Sequence, residues 1–225
     1  MRRVYVLYRS LVGQKVIMAV TGIMLILFVV GHLAGNLKVF QGPAKFNAYA
    51  EGLRSFGAPF FGHGQFLWLV RLVLIAAALL HVWAAIAVTR ASWAARPTGY
   101  RTLRAERTTY AARTMRVGGV LLLAYVVYHL LDLTFGSANP AFVAGDAYGN
   151  LLASFSRVPV SAAYVVAMIV LGFHLQHGVW SGLQTLGLHT PPVERWRRGV
   201  TAVVAALIVA GYVSIPLAVL AGVLH

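Results

Sequence analysis

Five stretches of this sequence are long and apolar enough to cross a membrane, and no other feature limits the fold as much. A helical span needs roughly 20 mostly apolar residues. Apolar residues make up 60% of the chain and charged residues 11%, whereas about a quarter of a soluble domain is charged. The sequence therefore predicts an all-α integral membrane bundle of five transmembrane helices, with spans at about 16–37, 66–89, 115–135, 160–183 and 200–220.

The segments between the spans are too short to form a separate catalytic domain. We therefore expect residues 1–225 to be one membrane domain, with the first span retained and not cleaved as a signal peptide. The chain has no cysteine. It therefore lacks thiolate chemistry and the usual ligands of iron–sulfur clusters, which a partner would have to supply.

The formal net charge of +14 has two interpretations, nucleic-acid binding and the basic excess of cytoplasmic loops in membrane proteins. Fourteen Lys and Arg fall on the side of the N-terminus and the second and fourth loops, and five fall on the other side. This clustering between apolar spans favours the second interpretation. It predicts a multi-pass protein without nucleic-acid partners, with a cytoplasmic N-terminus and the C-terminus outside.

Four histidines lie inside predicted spans, one in each of the first four. Histidine within a membrane span is costly and usually functional. His32 and His129 lie about 15 residues into spans that start on the inside, which puts both toward the outer face. His81 and His174 lie about 15 residues into spans that start on the outside, which puts both toward the inner face. Depth therefore predicts two pairs, His32 with His129 and His81 with His174.

Two imidazoles facing each other across a helical bundle suit a six-coordinate b-type haem, a flat apolar disc with iron between two nitrogens. With both axial positions filled, such an iron transfers electrons. His177 competes with His174 for the fourth position, and depth favours His174. Glycines near these positions would admit a macrocycle or permit close helix packing: Gly22, Gly31, Gly35, Gly118, Gly119, Gly172 and Gly178.

Three stretches carry a resemblance to a known family. They are Thr21-Gly22 to Gly31-His32, the His129 stretch after a basic loop, and Phe173-His174-Leu175-Gln176-His177-Gly178-Val179-Trp180-Ser181 with Gln184 beyond. With these, nearly the whole chain resembles the single-subunit, five-span, dihaem cytochrome b anchor of bacterial succinate dehydrogenase and fumarate reductase.

The resemblance implies that the first histidine of the fourth-span motif, His174, is a ligand, and that spans pair first with third and second with fourth. It also implies two haem b groups, and a flavoprotein and an iron–sulfur subunit held on the cytoplasmic face of the bacterial inner membrane. Electrons would pass through this subunit to a quinone, either menaquinone or ubiquinone.

The resemblance further implies a quinone site near the outer haem, and quinone chemistry needs proton donors. Glu51 and Asp132 are the candidates. The alternative for Glu51 is a solvated loop acid, and the alternative for Asp132 is an interfacial polar residue near a helix end. Haem propionates need cationic partners. Arg71 is the outer candidate, and Arg113 and Arg116 are the inner ones, although an arginine at a span end also snorkels to headgroups.

Two other functions remain open at the level of sequence. A transporter would use the histidines as proton-relay or metal-binding groups and would be expected to carry polar residues at mid-span. A cytochrome b subunit of another dehydrogenase would keep the haem ligands and differ in its soluble partner.

Overall fold

The structure, a computed structural model, describes residues 10–94, 110–187 and 191–225. Within these ranges the chain is helical and contains no strand. A 3-10 helix, Leu37–Gln41, follows the first α-helix directly. The α-helices are α1 (Leu11–Asn36), α2 (Pro43–Ser55), α3 (Gln65–Ala94), α4 (Tyr110–Leu133), α5 (Ala147–Phe155), α6 (Val158–Thr185) and α7 (Pro191–Leu220).

Five of these helices are long and apolar enough to cross a membrane, which confirms the predicted all-α fold with five spans. The qualifying segments are Leu11–Gln41, Gln65–Ala94, Thr114–Leu133, Val158–Thr185 and Gly199–Leu220. Large apolar side chains on them point outward: Leu27, Leu79, Val120 and Leu207 are each about two-thirds exposed. A soluble monomer rarely exposes apolar surface on this scale, whereas lipid covers it.

The helix ends differ from the predicted span ends because a helix can continue beyond the apolar segment that crosses the membrane. The largest difference is in α7, which begins at Pro191 although its apolar segment begins near residue 200. The charged residues between these points continue the helix beyond the apolar part. Pro216 lies inside α7, which continues through it to Leu220.

Four of the spans pack in the order α3, α1, α6, α4, and they outline a square because α3 and α4 approach where Arg116 lies over the Trp93 ring. Helix α1 packs against α3 and α6, α4 packs against α6, and α7 packs on the outside against α6 and α1. The two diagonals of the square are therefore α1 with α4 and α3 with α6. Within the described residues, neither diagonal pair has an extensive backbone contact.

One end of the bundle is covered by α2, α5 and the 3-10 helix, which we call the cap. Its apolar core includes Val39, Phe46, Tyr148, Leu151 and Phe155. The segments between the predicted spans at about 38–65 and 136–159 are not loops throughout, because each of them contains a short α-helix. Two sequence signals for these helices were present: a proline at the first position of α2 and an acid immediately before α5.

Hydrogen bonds between distant residues close the cap. The Asn47 side chain donates to Asp146 Oδ1 over 2.9 Å and accepts from the Tyr148 backbone N–H over 2.9 Å. Asp146 also caps α5 by accepting from the Gly149 N–H. These bonds from Gly149 and Asn47 lower the pKa of the Asp146 carboxyl. The two cap helices are thus joined by side chains separated by about a hundred residues of sequence.

Candidate functional site

The four span histidines meet in two pairs at different depths of the bundle. His32 and His129 lie near the cap with ring centroids 6.0 Å apart, and we call them the cap-side pair. His81 and His174 lie in the other half with centroids 6.4 Å apart, and we call them the far-side pair. These are the pairs that depth along the helices predicts.

Each pair spans one diagonal of the helical square. The cap-side pair joins α1 to α4 and the far-side pair joins α3 to α6, which are the helices that do not pack closely on each other. The imidazoles therefore reach into the interior of the bundle from opposite sides. Neighbouring helices hold the backbones apart while the rings approach.

The far-side pair is held partly by the backbone of α1. His81 Nδ1 lies 3.1 Å from the Met18 carbonyl oxygen and 3.2 Å from Thr21 Oγ1. A carbonyl oxygen only accepts, so Nδ1 carries the hydrogen and Nε2 keeps its lone pair. On the opposite ring, His174 Nδ1 is buried and has no hydrogen-bond partner among the described residues.

Glycines border the far-side pair at short range. A Cβ atom on Gly22 would lie 3.3 Å from His81 Cε1, and one on Gly119 would lie 3.8 Å from His174 Cε1. Other predicted glycines meet neighbouring side chains, among them Gly35 against Tyr49 and Gly118 against Val170. These glycines therefore permit close packing, both on the histidine rings and between helices, and the admission of a macrocycle remains a prediction.

Aromatic rings surround the cap-side pair. Phe28 stacks on His32 with centroids 5.1 Å apart, and Tyr125 stacks on His129 at 5.8 Å. Tyr164 meets His129 at its edge, with the phenol oxygen 3.4 Å from Nδ1. Tyr212 lies 6.3 Å from His32. Both rings of this pair are therefore confined by packing.

His177 lies one turn beyond His174 in a different environment. Its ring centroid is 5.9 Å from that of Trp180. The ring that lies opposite His81 is that of His174. The geometry therefore agrees with the preference for His174 that depth and the resemblance gave.

The two predicted acids lie in opposite surroundings. Glu51 is exposed on α2, where it pairs with Arg54 at 3.0 Å and His63 at 2.8 Å. Hydrogen bonds from His63 and Arg54 lower the pKa of Glu51. Asp132, in contrast, is fully buried.

Asp132 is enclosed by three side chains that the sequence analysis did not single out. It forms an ion pair with Arg157 at 2.7 Å, accepts from Tyr164 at 2.9 Å and accepts from Ser154. The available signal was an acid and an arginine near the same end of two neighbouring spans, where a buried charge requires a partner.

The structure describes the side chains of two of the three arginines that were predicted to face haem propionates. The Arg71 guanidinium lies 5.0 Å from the Trp68 ring centroid, and that of Arg116 lies 5.4 Å from the Trp93 ring centroid. The side chain of Arg113 lies outside the described residues. A role for these arginines toward propionates remains a prediction.

The residues present fit a metal held between two imidazoles. A histidine nitrogen binds a metal at about 2.0–2.1 Å and its ring centre lies roughly 1 Å further back, so two rings on one metal have centres about 6 Å apart. Both pairs have this separation. In the described part of the chain, no group of three or more His, Asp or Glu is placed to hold a metal ion. Each pair would thus need a group that supplies the remaining donors, as a porphyrin does.

Fold and site together define a multi-pass helical membrane protein with histidines paired across its interior. The family model of the succinate dehydrogenase/fumarate reductase transmembrane subunit matches residues 94–213. The chain belongs to this family. The matched stretch includes His129 and His174, while His32 and His81 precede it. A search of the curated proteins and a search of the solved structures each found no match.

Family membership makes the chain a membrane subunit of an enzyme complex. It implies flavoprotein and iron–sulfur partners, and it points to haem and quinone as the groups that such a subunit handles.

Proposed function

We propose that this chain is the cytochrome b anchor of a bacterial succinate dehydrogenase or fumarate reductase and forms one membrane domain over residues 1–225. It would link an iron–sulfur subunit to a membrane quinone through two b-type haems. The cap would lie on the outer face of the inner membrane. The N-terminus would then be cytoplasmic and the C-terminus outside, as the distribution of Lys and Arg predicts.

The observation that carries this proposal is the pairing of the four histidines. Two imidazole pairs, each with the separation of ligands on one metal, stand at two depths on the diagonals of a helical square. The bundle fits two flat groups better than a continuous proton path, because each pair is a separate layer. The transporter alternative has no comparable observation in its favour. The other-dehydrogenase alternative would share the histidine pairs, and the family match speaks against it.

In this function, His32 and His129 would hold the outer haem, and His81 and His174 would hold the inner one. When bound, the haems supply one-electron transfer between the iron–sulfur partner and the quinone. The protein fixes the rings: Met18 and Thr21 hold the His81 tautomer, and stacked aromatic rings fix the planes of His32 and His129. Apolar side chains around the bundle keep water away.

The soluble flavoprotein and iron–sulfur subunits would bind at the end opposite the cap. Basic residues of the second and fourth loops would attract acidic surfaces there. Four of these ten residues, the arginines of segment 95–109, lie outside the described residues, and the structure leaves the side chains of four others undescribed. The proposal for this surface therefore rests on the sequence.

Quinone would react near the cap, with Glu51 as the proton-handling carboxylate. Glu51 is ionised at neutral pH and bonded to His63, 2.8 Å away, so it would take up protons at the surface and pass them toward the quinone. Asp132, the second acid proposed from the sequence, has both of its oxygens already bonded. The outer arginine Arg71 and the inner arginines Arg113 and Arg116 would face propionates.

The haem proposal is tested on the purified complex by a dithionite-reduced minus oxidised spectrum with haem quantitation. Two b-type haems per chain are expected. His32→Ala or His129→Ala should remove one haem, and His81→Ala or His174→Ala should remove the other. A preparation from a haem-replete host without haem would contradict the proposal.

His177→Ala is the matched control because it removes an imidazole from the same helix, one turn away. It should retain both haems. Loss of the far-side haem in this variant, with retention in His174→Ala, would reverse the ligand assignment. Copurification of a flavoprotein and an iron–sulfur protein identifies the complex.

The role of Glu51 is tested separately with Glu51→Gln. Electron transfer from succinate to quinone should fall at least several-fold, because the amide cannot take up or release a proton at neutral pH. Reduction of a water-soluble dye by the flavoprotein should be unchanged. Full quinone activity in this variant would exclude Glu51.

A further inference from the structure

The buried carboxylate of Asp132 is the centre of a network made by α4, α5 and α6. Arg157 Nη2 donates to its Oδ1 over 2.7 Å, while Tyr164 donates to Oδ2 over 2.9 Å and Ser154 donates to the same oxygen. Arg157 Nη1 also donates to the Ala138 carbonyl over 2.9 Å. A guanidinium is always charged, so Asp132 accepts these bonds as the carboxylate of an ion pair.

Hydrogen-bond donors determine the direction of the next contact. Tyr164 has one O–H, and it is donated to Asp132. Its oxygen can therefore only accept from His129 Nδ1, which lies 3.4 Å away. That contact requires the hydrogen to be on Nδ1 of His129 and leaves Nε2 with a free lone pair.

The plane of the His129 ring is fixed by Tyr164 together with Tyr125. Tyr164 meets His129 at 66°, and Tyr125 stacks on the other side at 30°. Tyr164 is itself held edge-on by Phe155, 4.9 Å away, and by Tyr125, 5.2 Å away. The tautomer of His129 thus depends on the Tyr164 phenol, and the orientation of its ring depends on Tyr164 and Tyr125 together.

We infer that Asp132 and Arg157 are positioning residues that act through Tyr164 to hold His129 as a ligand with Nε2 presented. The inference rests on the proposed function. It assigns Asp132 a structural and electrostatic part in the outer site in place of direct contact with quinone. An acceptor behind a ligating histidine raises the basicity of that ligand, and here the acceptor is itself bonded to a carboxylate.

The measurement is a spectroelectrochemical titration of the purified complex with both haems bound. The outer and inner waves are assigned beforehand with the histidine variants. Tyr164→Phe removes the oxygen and keeps the ring, so the basicity of His129 should fall. The outer midpoint potential should then rise, while the inner potential and the haem count stay unchanged. A shift in the electron paramagnetic resonance signal of the outer ferric haem should accompany it.

Tyr128→Phe is the matched control, because Tyr128 precedes His129 on the same helix and also packs edge-on against Tyr164, at 6.2 Å. It should leave both potentials unchanged. The inference is wrong if Tyr164→Phe shifts neither wave, shifts both equally, or shifts the outer wave no more than Tyr128→Phe does.

Two variants keep the test decisive if Tyr164→Phe fails to retain haem. Asp132→Asn removes a negative charge and should raise the outer potential. Arg157→Gln leaves the carboxylate unneutralised and should lower it. Shifts of the same sign in both would contradict the inference. A wild-type complex without haem would contradict the proposed function, whereas two haems with an unresponsive outer wave would contradict this inference alone.

Discussion

The cap-side and far-side histidine pairs have similar ring separations and differ in what holds them. Behind His129 stands a chain of side chains, Tyr164, Asp132 and Arg157. Behind His81 stands a backbone carbonyl of the neighbouring helix, that of Met18. One support is built from replaceable side chains, and the other follows from the packing of α1 against α3.

Because the supports differ, different substitutions are expected to alter each site. A side-chain network can be changed one group at a time, so the cap-side site is open to tuning by substitution. A carbonyl remains whatever the side chain, so the far-side site responds mainly to changes that move the helices. The following variants separate the two supports, in order of decreasing effect.

The largest effect is expected from Gly22→Val, which acts on the far-side pair by volume alone. Even a Cβ at this position would lie 3.3 Å from His81 Cε1, so the two methyl groups of valine must displace the ring. We expect loss of the far-side haem and retention of the cap-side haem by quantitative spectra. Gly31→Val on the same helix is the control, because Gly31 is exposed and its Cβ would meet nothing within 4 Å. Retention of both haems in Gly22→Val would show that the site tolerates the extra volume.

Asp132→Ala should cause the next largest effect, now on the cap side. It leaves Arg157 without its carboxylate. The cost should be about 3 kcal/mol, the lower end for a broken buried pair, because Arg157 keeps 32% exposure. Unfolding of the solubilised complex in a denaturing detergent measures it.

Glu51→Ala is the control for this experiment, since it removes an exposed acid that also has a cationic partner. Its stability should not change measurably. Equal stability of the Asp132→Ala and Glu51→Ala variants would show that the buried network contributes nothing to the fold.

Asp146→Ala tests the cap that covers the first pair, with a smaller effect. Loss of a helix N-cap costs about 1 kcal/mol. Because the folded pKa of Asp146 is below its ordinary value of 3.8, the charge-dependent part is present above pH 3.8 and is lost as pH falls through the folded pKa. Unfolding measured at pH 7 and near pH 3 should therefore show it. Asp146→Asn keeps the cap and should lack this acid dependence; a wild-type acid response would exclude Asp146 as its source.

The smallest effect is expected from Thr21→Val. It removes the hydroxyl beside His81 Nδ1 and leaves the Met18 carbonyl in place. The inner midpoint potential should stay within error of the unaltered protein. A shift as large as that of Tyr164→Phe would show that both pairs depend equally on side chains and that their supports do not differ.

The spans and the histidine pairing could be predicted because both follow from one-dimensional quantities. Apolar length gives the spans, and 1.5 Å of rise per residue converts a position such as His129 into a depth. The pairing of first with third span and second with fourth needs only equal depth.

The supports of the histidines could not be predicted in this way. The contact of Tyr164 with His129 depends on the rotation of α6 about its axis, which hydropathy does not fix. From the sequence, Arg157 is only one of the five basic residues on the outer side that indicate the orientation of the chain. Its bond to Asp132 appears when α5 brings Ser154 to the same point. The cap helices were missed because their short apolar faces bury against each other and not in lipid.

The diagonal arrangement has a consequence for the order of biogenesis. Each pair takes one imidazole from before residue 95 and one from after residue 110. A nascent chain that has inserted only α1 and α3 therefore carries two histidines without their partners. The cap-side pair becomes complete when α4 enters the bilayer, and the far-side pair only when α6 follows. Porphyrin capture would thus proceed from the cap downward, and two separately translated halves would gain ligation only by associating.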